Sequence, residues 1–174
     1  MPRPLLAALL LTLVLPSWAG VVRELTWAEL VPADAPPQAS SPAPVHDLSQ
    51  LADALAAESG PAAQQQAPAA PVVAALDGQA VKLPGYIVPL DVTDEGRVTE
   101  FLLVPYFGAC IHVPPPPSNQ IVHVSSELGV RLDALYQPFW IEGPLRVEAS
   151  SSELAEAGYR MAADKIYPYE LPDS

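Results

Sequence analysis

One cysteine, Cys110, and three histidines are all the thiol and imidazole ligands this chain has in 174 residues. A single cysteine forms no internal disulfide, so in an oxidising compartment it must be buried, bound to a metal, reactive or paired with another chain. Basic residues are also scarce. Eight Lys and Arg stand against 20 Asp and Glu, a formal net charge of −12. That balance excludes nucleic acid or an anionic membrane as a partner held by bulk electrostatics. No G-x-S-x-G elbow is present. Ser125-Ser126 and Ser150 to Ser152 lie near acids and one histidine without forming a hydrolase signature.

Long hydrophobic runs are missing too. The longest, Leu5 to Leu15, follows Arg3 and precedes the small residues of Ser17-Trp18-Ala19. It is short of the roughly 20 residues a membrane span needs, and the pattern is that of a signal peptide cleaved after Ala19. Residues 1–19 are therefore expected to be removed. The mature protein is expected in the periplasm, and after cleavage it is not an integral membrane protein.

Residues 20–75 form an N-terminal extension and linker. Val22 to Pro32 is a short amphipathic piece with Leu25, Trp27 and Leu30 on its apolar side. The stretch from Pro32 to Pro71 is dominated by Ala, Pro, Ser and Gln, a composition that buries too little apolar surface to offset its ordering entropy. One helix is expected within it, over residues 47–58. There Asp47 and Gln50 suit a capping box, and Leu48, Leu51 and Leu55 recur at helical spacing.

The texture changes after Leu76. Gln79 to Asp91 is β-rich with a break at Pro84-Gly85, Thr93 to Arg97 is a turn, and Val98 to Tyr106 is its hairpin partner. Gln120 to Val124, Phe139 to Ala149 (kinked at Gly143-Pro144) and Tyr159 to Tyr169 complete the strands, with a helical turn at Arg131 to Tyr136. About five strands at short spacing, with no long helix, predict an all-β domain over residues 76–172. The architecture expected is a small five-stranded OB-like barrel.

The segment FLLVPYFGACIHVPPPPSNQIVHV, residues 101–124, concentrates the chemistry. Cys110 and His112 are two apart and share a face if extended, and His123 follows on the next strand. Pro114 to Pro117 stiffen the loop between them. A thiolate and two imidazoles suit zinc or another transition metal, with a fourth position open. The competing reading is structural: a small buried thiol and a histidine satisfied within the fold. The two stand level on the residues alone. His46, the remaining histidine, lies in the linker, and no general base stands out, so an enzyme is the least favoured class.

The sequence resembles the DUF3299 family of exported bacterial proteins of unknown function. RELTWAELVP, LDGQAVKLPGYIVPLD, the YFGACIHVPPPP block, FWIEGPLRVE and GYRMAADKIYPYE carry the resemblance. It implies an OB-type barrel and an exported protein. It also implies a setting beside transporters of the lipoprotein-release type or metal-uptake systems, and it attaches no reaction. Two expectations follow. One is a non-enzymatic accessory protein that binds zinc through Cys110, His112 and His123 in an envelope transport or metal-homeostasis system. The other is a metal-free protein–protein interaction module for a periplasmic transporter complex such as an ABC-type transporter, with the proline loop as its contact.

Overall fold

A computed structural model describes residues 21–35, 64–110 and 114–170. The expected signal peptide, the helix over 47–58, His46 and His112 lie outside the described residues. Among those residues no helix is long and apolar enough to cross a membrane.

Among the described residues nine strands run in chain order: β1 (Arg23–Glu24), β2 (Ala80–Val92), β3 (Arg97–Val104), β4 (Val122–Arg131), β5 (Phe139–Arg146), β6 (Ser150–Ser151), β7 (Glu156–Ala157), β8 (Tyr159–Ala162) and β9 (Lys165–Pro168). Five of them close a ring. β2 pairs antiparallel with β3, β3 with β4, and β5 with β8, while β4 and β8 run parallel. The ring closes because β2 changes partners. Its first half, Ala80 to Gly85, pairs with β5, and its second half, from Tyr86, pairs with β3. The all-β expectation is thus met, with the strand order of an OB-like barrel. β9 extends the β5 edge and β1 lies parallel beside β2.

The partner switch explains Pro84-Gly85, which sequence pattern marks as a break. The strand runs on through it. A Cβ on Gly85 would stand 2.7 Å from the Val104 carbonyl oxygen and 2.9 Å from the Leu103 side chain. Glycine lets the two strands close up where β2 crosses from one neighbour to the other. The register shift itself comes later, around Pro89 and Asp91.

Strand alternation fills the ring. Val81, Leu83 and Ile87 of β2, Phe101 and Leu103 of β3, Val122 and Val124 of β4, Ile141 and Leu145 of β5, and Tyr159 and Met161 of β8 form its interior. The outward residues of the same strands are not all wet. Val88, Leu102, Val104 and Ile121 form a second apolar cluster with Ala109, Ala155 and Ala157, roofed by the loop after β3 and the β6–β7 hairpin. β3 is therefore covered on both faces, which is why FLLV reads as an unbroken apolar run.

The amphipathic piece near the N-terminus belongs to this core. Leu25 and Leu30 are buried in it, and the Trp27 indole donates to the Pro84 carbonyl at 2.7 Å. Tyr159 ties the outlying segments together: its hydroxyl donates to the Leu30 carbonyl and accepts from the Val73 amide, each at 2.7 Å.

Candidate functional site

Beyond β3 the chain turns sharply. Gly108 and Cys110 both have positive φ, 80° and 65°. A left-handed cysteine is uncommon, and this one stands at the second apolar cluster, four residues before the proline run. Cys110 packs half-buried against that cluster. Burial pushes its thiol up from the ordinary 9.0 to about 11. At neutral pH it is a protonated, poorly nucleophilic thiol.

Phe107, in the same turn, is 62% exposed. It stands edge-on to Tyr86 of β2, ring centroids 5.7 Å apart and planes at 71°. The pair forms an aromatic ledge beside Cys110.

The prolines behave otherwise than a free loop would. Pro115, Pro116 and Pro117 are buried and Pro114 is half-buried. Residues 64–71 lie over them. Gln65 donates to the carbonyls of Pro116 and Glu156, at 2.9 and 2.8 Å, and accepts from the Glu156 amide at 2.8 Å. The Ser118 amide donates to the Ala67 carbonyl, and Asn119 donates to that of Pro71. A composition typical of linkers is here a lid on the proline run.

His123 sits on β4 opposite Leu102, facing outward with Ile121, and is 7% exposed. Both ring nitrogens are engaged. Nε2 lies 2.7 Å from Glu100 Oε1 on β3, and Nδ1 lies 2.9 Å from Ser150 Oγ on β6. Of the three predicted ligands, Cys110 borders the second apolar cluster, His123 is held by Glu100 and Ser150, and His112 falls outside the described residues. Among the described residues no three His, Cys, Asp or Glu side chains gather as a metal site. Sequence reasoning did not foresee Glu100 and Ser150 as partners of His123. The legible signal was Glu100 itself, an acid at an outward position two residues before Leu102 on a strand covered on both faces.

Fold and site together define a small all-β domain whose strands close a ring, with an aromatic ledge, a half-buried thiol and a buried histidine clamped between strands. The chain belongs to the DUF3299 family, proteins of unknown function, whose family model matches residues 27–168. It is similar to the crystal structure of a DUF3299 family protein from Pseudomonas aeruginosa PAO1. That similarity is 64% identity over 88% of this chain and 100% of that one, with a TM-score of 0.75. Among curated proteins nothing matches.

Proposed function

We propose that this chain is an exported domain of the cell envelope that serves as a protein–protein interaction module, with the Tyr86–Phe107 ledge as its contact. The observation that carries this is Phe107: a large aromatic side chain left in solvent, held in one orientation by a neighbouring ring. Preoriented aromatics of this kind anchor interfaces at low entropic cost. The basic start and apolar run at the N-terminus support export. The proline run, largely buried and bonded to Gln65 through Pro116, offers less exposed surface for a contact than the ledge does.

The test is photo-crosslinking in the native host, with a benzoylphenylalanine placed at Phe107 or at Tyr136, which is also exposed. A discrete adduct from position 107, absent from position 136, is the expected result. Equal, diffuse adducts from both positions overturn it. Zinc is the rival occupant of this corner, and competition with a chromophoric chelator distinguishes it. Tight zinc binding by the reduced protein that is lost in Cys110→Ala and His112→Ala would make the corner a metal site.

A further inference from the structure

The polar chain Glu100–His123–Ser150 lies outside the aromatic ledge, and with a neutral imidazole its hydrogen-bond polarity follows from elementary chemistry. A carboxylate only accepts, so Glu100 accepts a hydrogen bond from His123 Nε2–H at 2.7 Å. In the neutral imidazole the other nitrogen, Nδ1, is then an acceptor. The group facing it at 2.9 Å is the Ser150 hydroxyl, which must donate. A serine donating to a histidine whose far nitrogen is held by a carboxylate is the arrangement of an activated nucleophile. The two ring nitrogens are exchanged relative to the familiar triad, which leaves the proton path intact because either nitrogen is a competent base. His123 is buried, which fixes its ring. Ser150 is half-buried, and the Glu100 side chain is 47% exposed, so the chain of groups opens toward solvent.

We propose that Ser150 is an acylation site for small activated esters, with His123 as its base and Glu100 as the positioning acid. In the step, Ser150 Oγ bonds to the acyl carbon as its proton passes to His123 Nδ1. The bond from that carbon to the leaving oxygen breaks, and the imidazolium, stabilised by Glu100, returns the proton to the departing alkoxide. The products are an acyl-serine and a free alcohol. Water entering by the same route releases the acid. This activity goes beyond a binding role and does not depend on it. A local elbow motif is unnecessary, since three separate strands bring the groups together.

The experiment treats the full chain with a fluorophosphonate probe and maps the adduct by peptide mass. A single adduct on Ser150 is expected, absent in Ser150→Ala, with the exposed Ser125 and Ser151 unmodified. In His123→Gln the labelling rate should fall by about 100-fold, the usual contribution of a general base. Glu100→Gln preserves the size of the side chain and removes its charge, and its rate should also fall while thermal unfolding shows the protein folded. A purely structural clip predicts no such dependence. No adduct on Ser150, or an adduct formed equally fast in Glu100→Gln, overturns the proposal, and Glu100→Gln carries the decision even if His123→Gln fails to fold.

Discussion

Gly143 and Gly96 look alike as isolated glycines near bends, yet they answer to different constraints. Gly143 sits mid-strand in β5, where a Cβ would collide with the Ala162 carbonyl oxygen of β8 and come within 3.2 Å of the Met161 side chain. Gly96 has φ of 72° in the β2–β3 turn and nothing near its missing Cβ. Gly143→Ala should therefore act by overpacking and cost about 2 kcal/mol or more, since the Ala162 obstacle is backbone. Gly96→Ala should cost about 1 kcal/mol through left-handed strain alone. Urea denaturation of both variants checks the order. Cys110 yields a second prediction at this scale. Its folded thiol titrates at about 11, above the ordinary 9.0, because burial disfavours the thiolate. The unfolded chain ionises first, so this group's contribution to stability is intact below pH 9 and is lost as pH rises toward 11. Reaction with a thiol dye should accordingly be slow at pH 8 in the native protein and fast once it is unfolded. A native rate equal to the unfolded rate would contradict the burial described here.

At the scale of elements, the strands were legible and their neighbours were not. Alternation in QAVKLPGYIVPLD and the long apolar run in FLLV located β2 and β3, because side chains that fill a ring leave a period in the sequence. The turn at Thr93 to Arg97 was equally plain, since Gly96 supplies the positive φ it needs. Tyr159 to Tyr169 reads as one strand but folds as two, β8 and β9, which pair on different sides of β5's length. Nothing local encodes that division. Pairing across the sheet decides it. The same limit hid the site. Cys110, His112 and His123 are conspicuous by residue type, but Ser150 reaches His123 only because β6 folds back over the second cluster. Residues 64–71 carry no periodicity at all, and their order comes from single contacts. Gln65 makes three of those hydrogen bonds. Gln65→Ala should release this lid, with a loss of about 1–3 kcal/mol if the Glu156 amide is left unpaired. Limited proteolysis should then cut near residues 64–71 faster than in the parent protein, while far-ultraviolet circular dichroism stays unchanged.

For the whole molecule, charge is the governing quantity. A net charge of −12 in a chain of this size makes the folded state repel itself. Three of its ion pairs are peripheral: Arg131–Asp133, Arg160–Glu148 and Arg23–Glu29 all have well-exposed partners, and such pairs contribute little. Added salt screens the repulsion more than it weakens those pairs. Raising sodium chloride from about 10 to 200 mM should therefore raise Tm, an effect set by the shortening Debye length. A Tm that falls with salt would mean that the surface ion pairs outweigh the repulsion.

The parallel pairing of β4 with β8 has a consequence in time. β8 is the last strand of the ring, and it must slot between β4 and β5, both made earlier. Its Tyr159 also carries the hydroxyl that Leu30 and Val73 require. Until Tyr159 to Ala162 are present the ring cannot shut, and the Leu30 carbonyl and Val73 amide lack their shared partner. Early hairpins such as β2–β3 form from neighbours, while closure waits for partners more than a hundred residues apart in the case of Leu30 and Tyr159. Loop closure on that span is slow. The chain should thus refold in milliseconds to seconds rather than microseconds, and a nascent chain stalled just before Tyr159 should remain open to protease along its whole length.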